Sequence, residues 1–100
     1  MQLIIESPGL KPKESLLQLV QSQFEHLGKT SGLSSRCTVL LRIEGSGHHD
    51  RCRVEANLSV PGKVLFAGYL NDNFETSVRK VADKLSRQLH RYQHEHEEIW

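Results

Sequence analysis

Two alternating runs separated by the dipeptide Pro61-Gly62 constrain this chain more than any other feature. From Arg53 to Val60, the residues Val54, Ala56, Leu58 and Val60 alternate with Arg53, Glu55, Asn57 and Ser59. A period of two belongs to a strand with one apolar and one polar face. Pro-Gly is a tight-turn signal, so Lys63 to Leu70 is expected to return antiparallel, with Val64, Phe66 and Gly68 inward. Arg36 to Glu44 supplies another strand, with Cys37, Val39, Leu41 and Ile43 inward, joined to Arg53–Val60 by a hairpin around Gly45-Ser46-Gly47-His48. A sheet patterned in this way must cover its apolar face with another layer.

Two helical stripes can provide that layer. Between Lys13 and Leu27 the apolar positions Leu16, Leu17, Val20, Phe24 and Leu27 fall on one side of a helix, and Gly28 is placed to cap its C-terminus before a Lys29-Thr30-Ser31-Gly32 loop. Asn71-Asp72-Asn73 offers N-cap chemistry to a longer helix running to about Tyr92 or beyond, with Val78, Val81, Ala82, Leu85, Leu89 and Tyr92 stepping by three or four. Met1 to Glu6 reads as a short strand with Leu3 and Ile5 on one face, stopped by Ser7-Pro8-Gly9. The order β-α-β-β-β-α predicts an α+β fold: a four-stranded mixed sheet with two helices on one face, similar in order to double-stranded-RNA-binding domains. The helix between the first two strands allows them to pair in parallel through a right-handed crossover. One domain is expected over residues 1–93, followed by a short acidic tail, 94–100.

The 100 residues suit one domain, and 37% hydrophobic with 25% charged residues is ordinary globular composition. No apolar run approaches the roughly 18 residues of a membrane span. Leu3-Ile4-Ile5 is followed at once by Glu6, too short a run for an export signal, so a cytoplasmic protein without membrane contact is expected. Cys52 should lie opposite about Ile43, leaving Cys37 roughly 20 Å away along its strand, so two reduced thiols are expected rather than a disulfide. His90 and His94 share a helix face, but His96 points elsewhere and His48 and His49 lie in a hairpin loop. No H-E-x-x-H spacing occurs, and neither metal nor cofactor is expected. Nucleophile elbows and Gly-rich phosphate loops are absent too, which argues against an enzyme and against a small-molecule substrate.

The remaining signal is charge. Lys80, Lys84, Arg87 and Arg91 are spaced by four, three and four residues on the last helix, opposite its apolar side, with Arg79 off to one flank. Between Phe74 and Gln93 five Lys/Arg face two acids, Glu75 and Asp83, a local excess of +3 in a chain of net charge +1. Such a row suits phosphate neutralisation along a nucleic-acid backbone. It serves equally as a solvated helix face, on which Asp83 can pair with Arg87 at i,i+4.

Asp83-Lys84-Leu85-Ser86-Arg87-Gln88-Leu89 resembles the D-K-L-x-R-Q-L run on the last helix of the short bacterial ribosome-hibernation factors, also called sigma-54 modulation proteins or ribosome-associated inhibitors (S30EA-like). Asp72-Asn73-Phe74 stands where that family has an acid followed by an aromatic, and the element order is similar from Met1 to about Tyr92. The resemblance implies a non-enzymatic protein that binds the small ribosomal subunit, in the channel used by mRNA and tRNA, and silences translation in stationary phase or stress. A second hibernation factor is a possible further partner. Lys84, Arg87 and Arg91 match basic family positions, and Lys80 extends them. The first helix departs: Gln21, Gln23, Glu25 and His26 stand where relatives carry Lys or Arg, leaving Lys11, Lys13 and Lys29 at its ends. Two other readings stand beside this one. One is a double-stranded-RNA-binding type domain, against which the extra first strand argues. The other is a protein-interaction module that has lost RNA binding, suggested by Ile4, Leu40, Leu65 and Tyr69 on the outer sheet face.

Overall fold

The computed structural model describes residues 1–31, 35–45 and 51–97. Six elements follow one another: β1 (Gln2–Glu6), α1 (Glu14–Ser31), β2 (Arg36–Glu44), β3 (Arg51–Val60), β4 (Lys63–Asn71) and α2 (Phe74–Glu97). The strands lie in the order β1-β2-β3-β4, with β1 parallel to β2 and the other pairs antiparallel. Both helices cover one face, α1 against β1 and α2 against β3 and β4, and they pack on each other. The α+β architecture expected from the sequence is the one observed.

Register at the β3–β4 hairpin follows from its turn. Gly62 sits at φ 77°, the left-handed value a type II turn needs at its third residue and one that glycine adopts without a Cβ clash. A two-residue connection sets Val60 opposite Lys63, so Leu58 faces Leu65, Ala56 faces Ala67 and Val54 faces Tyr69. Directly opposed residues share a face. Leu65 and Ala67 are therefore buried and Tyr69 packs against the core, while Val64 and Phe66 stand outside at 60% and 51% exposure. This reverses the expected parity of β4, which put Val64, Phe66 and Gly68 inward. It also removes Leu65 and Tyr69 from the outer face. Both faces of β4 carry apolar residues, so alternation alone cannot choose between them; the turn length does.

Two smaller differences have equally local causes. Ile43, expected inward, is 45% exposed because β1 ends opposite Leu40 and β2 outruns it. Helix α1 does not stop at Gly28 but continues to Ser31. A Cβ on Gly28 would stand 3.0 Å from the Cβ of Met1, so this glycine allows the chain start to lie close against the helix rather than ending the helix. The Gly45–His48 hairpin loop, with His48 and His49, and Gly32 lie largely outside the described residues.

The core interleaves Val20, Phe24 and Leu27 of α1 with Val78, Val81, Leu85 and Leu89 of α2 over Cys37, Val39, Leu41, Val54, Ala56 and Leu58. Cys52 pairs with Ile43 as expected, and neither cysteine is in a disulfide. Burial pushes the Cys37 thiol up to about 12, which makes it unreactive. Helix α2 starts on Asn73, whose Oδ1 accepts the Thr76 N–H at 2.7 Å. One turn on, the fully buried Ser77 donates its hydroxyl to the Cys52 carbonyl at 2.9 Å. Near the far end the Tyr92 hydroxyl donates to the Pro61 carbonyl at 2.7 Å. The helix is thus fastened both to the start of β3 and to the β3–β4 turn.

On the outer face Arg42 and Arg53 are direct cross-strand neighbours, a pairing that would repel if left alone. Glu44 accepts from both, with Arg53 Nε at 2.8 Å, and Glu55 lies at 3.7 and 3.9 Å from the two guanidinium groups. Hydrogen bonds from Arg42 and then Arg53 hold the Glu44 carboxyl below its ordinary value of 4.5. A depressed carboxylate stabilises the fold above its unfolded-state value, and that contribution is lost as pH falls through the folded one. Glu44→Gln should therefore flatten the loss of stability on the acid side of pH 4.5, read as urea midpoints across that range. Ser77→Ala should cost about 1–2 kcal/mol of unfolding free energy, since it deletes a buried hydroxyl and leaves a carbonyl without that donor.

Candidate nucleic-acid interface

Because β4 is an edge strand, its outer backbone groups have no neighbouring strand. Helix α2 takes up two of them. Gln88 Nε2 donates to the Phe66 carbonyl at 2.7 Å, and Lys84 Nζ donates to the Gly68 carbonyl at 3.1 Å. The same ammonium group lies 5.0 Å from the centre of the Tyr69 ring, within cation–π range. The basic row therefore does not stand directly opposite the buried side, as the helical wheel implied. It lies along the flank where α2 meets the sheet edge, drawn there by side chains long enough to reach it.

A groove of about 390 Å³ runs along this flank, lined by Phe66, Gly68, Lys84, Arg87, Gln88 and Arg91. A second groove of about 210 Å³ shares Gln88 and Arg91 and brings in Lys63 and Glu95. Lys84, Arg87 and Arg91 are thus brought together as the spacing suggested, and Lys63 joins them. Lys80, one turn before Lys84, is exposed and lines neither groove. Arg79 is turned the other way, into a groove of about 520 Å³ between the helices with Gln23, His26, Lys29 and Asp83. It also pairs with Glu75 at 3.3 Å.

Charge pairing does not cancel the row. Arg87 meets Asp83 at 2.9 Å, but the two side chains are 75% and 53% exposed, and such pairs contribute only ~0–1 kcal/mol. Lys63, Lys80, Lys84 and Arg91 make no ion pair among the described residues. On α1, the four non-basic positions divide between two flanks. Gln21 and Glu25 line a groove with Met1, Leu3, Ile5 and Gly28 on the β1 side, whereas Gln23 and His26 face α2. The Glu25 carboxylate therefore does not sit in the cationic row.

Lys63, Phe66 and Gln88 were not singled out from the sequence. Once Pro61-Gly62 is taken as a strict two-residue turn, Lys63 falls opposite Val60 and Phe66 moves outside, so that signal was present. Gln88 carried none, since its role depends on the edge carbonyl it meets. Among the described residues no group of three His, Cys, Asp or Glu is placed to hold a metal, and no helix is long and apolar enough to cross a membrane.

Order, topology and the basic flank define a small α+β domain whose last helix carries its uncompensated charge. The chain belongs to the Sigma 54 modulation protein / S30EA ribosomal protein family, whose model matches residues 3–97. Its fold is similar to that of the Protein Y N-terminal domain from Thermus thermophilus, at TM-score 0.78 and 16% identity over 92% of this chain and 99% of that one. It is also similar to a ribosomal subunit interface protein from Coxiella burnetii, at TM-score 0.76 and 20% identity over 93% and 98%. No curated protein matches the chain significantly.

Lys84 contributes to the edge as well as to the row. Lys84→Ala should lower unfolding free energy by about 1 kcal/mol or less, because the carbonyl it leaves is open to water and the contact with Tyr69 is solvent-exposed. Lys84→Arg should recover most of that loss, and chemical denaturation of the three proteins checks both.

Proposed function

We propose that this protein binds the small ribosomal subunit through ribosomal RNA and so silences translation in stationary phase or stress. The observation that carries the reading is the row of Lys84, Arg87 and Arg91, with Lys80 above it and Lys63 at its far end, in a chain whose family match spans residues 3–97. A cation row on a rigid helix offers phosphate contacts at fixed spacing and gains affinity by releasing counterions. Arg79, on the other flank of α2, contributes at most at the margin of that footprint, near Lys29. The role needs no catalytic group or cofactor, and its setting is the cytoplasm, where ribosomes work. A second hibernation factor acting on the same ribosome is compatible with this reading.

The two rival readings are less well supported. A double-stranded-RNA-binding type domain has no counterpart of β1, which here pairs along its whole length with β2. A protein-interaction module would use the outer sheet face, where Val64 and Phe66 at the β4 edge stand in place of the expected Leu65 and Tyr69. What remains near its centre is the Arg42, Glu44, Arg53 and Glu55 network.

Binding to purified small subunits should weaken steeply with salt. Three or four neutralised phosphates give a log–log slope on the order of −3. Replacing both Arg87 and Arg91 with Ala should make that slope shallower by roughly 1–2 while leaving the melting temperature nearly unchanged. Sedimentation of a stationary-phase lysate places the protein directly: it should run with ribosomal particles and be released by high salt. Recovery at the top of the gradient in low salt, or a slope near zero, would overturn the reading.

A further inference from the structure

Phe66 occupies a position that the fold does not explain. It stands on the outer side of an edge strand, 51% exposed, where single apolar residues are common but large aromatic ones contribute nothing to the core. Its surroundings are specific. The ring leans along β4 over Gly68, its para carbon 3.6 Å from where a Cβ there would be, an ordinary contact distance, with the Glu55 Cγ 3.4 Å from the same point. The backbone on both sides of the ring is pinned by α2, through Gln88 at the Phe66 carbonyl and Lys84 at the Gly68 carbonyl. Phe66, Lys84, Arg87 and Arg91 line one groove.

An aromatic ring held on a rigid strand beside cations supplies the two things that an unpaired nucleotide needs: a π-face for the base and positive charge for its phosphates. Lys84 and Arg91 are separated by about 10 Å of helix axis, room for roughly three phosphates at the ~3.4 Å spacing of a stacked strand. A fully paired duplex keeps its bases inside and offers such a ring nothing to stack on. We propose that Phe66 is a stacking platform for an unpaired base of an RNA strand whose phosphates lie on Lys84, Arg87 and Arg91. The proposal rests on the RNA-binding reading above and adds to it a preference for single-stranded or looped-out RNA over duplex. Leucine at this position would still cover Gly68 but would present no π-face, which separates stacking from simple apolar cover.

The test compares fluorescence anisotropy of a short oligoadenylate with that of a fully paired RNA duplex, for the wild type, Phe66→Leu, Phe66→Trp and the double variant Lys84→Ala, Arg87→Ala. Phe66→Leu should weaken oligoadenylate binding about five- to tenfold, the low end of the range for loss of one stacked base, and leave duplex binding within about twofold. Phe66→Trp should retain oligoadenylate binding, and in a Trp100→Phe background its indole fluorescence should be quenched by the oligomer. The double variant should weaken both RNAs. An equal loss on both RNAs in Phe66→Leu, no loss on either, or an indole that the oligomer does not quench overturns the stacking proposal and leaves the ribosome reading standing. Failure of the wild type to bind either RNA or small subunits overturns both.

Discussion

Helix α2 is held on the sheet at two points, and the arrangement of charge on this protein depends on that attachment. Ser77 fastens its first turn to the start of β3 and Tyr92 fastens its later turns to the β3–β4 connection, with Val78, Val81, Leu85 and Leu89 buried between them. Two hydrogen bonds contribute little net free energy beside that apolar burial, but they fix where the helix lies along the strands. Displacement by one turn would carry Lys84 and Gln88 away from the carbonyls of Gly68 and Phe66. The edge of β4 would then be open to pairing with another strand, and the groove that gathers Phe66, Lys84, Arg87 and Arg91 would not exist.

The sequence showed the architecture where one signal dominated and misled where two competed. The alternation of β3 and the three-four stepping of α2 each leave a single solution, and both elements form as expected. In β4 Val64 and Phe66 compete with Leu65 and Ala67 for the interior, and only the length of the turn breaks the tie. Gly28 shows the same limit on α1. As a local signal glycine marks a helix end, but its function here is to admit Met1, a residue 27 positions earlier that no local pattern connects to it. The candidate site was legible to the same degree. The spacing of Lys84, Arg87 and Arg91 is a property of one helix, whereas the parts played by Lys63, Phe66 and Gln88 depend on which strand edge that helix covers.

Charge is handled differently on the two sides of the sheet. On the outer face Arg42 and Arg53 meet Glu44 and Glu55 within one network, and those charges satisfy each other. On the α2 flank Asp83 pairs only with Arg87, and Glu95, which shares a groove with Lys63 and Arg91, makes no ion pair with them among the described residues. Pairing of the first kind serves the fold; a surface of the second kind keeps its field for something else. Net charge of +1 conceals this division, because acids elsewhere in the chain offset cations that are not near them.

The same geometry separates the first helix, which lacks its expected basic residues, from the cation row of the last. α1 lies over β1 and α2 over β3 and β4, so the flank of α1 that bears Gln21 and Glu25 is directed to the opposite side of the layer from the β4 edge. Exposed charges at such separations are largely screened at physiological salt, where the Debye length is ≈ 8 Å. Glu25 therefore does little to the field around Lys84, Arg87 and Arg91. The positions that bear on any extension of the footprint across the helices are Gln23 and His26, which share their groove with Lys29 and Arg79. Lys29 and Arg79 outnumber Asp83 there, which leaves that groove weakly positive. The uncompensated positive charge is thereby concentrated on the β4 side, where Phe66 lines the same groove as Lys84, Arg87 and Arg91.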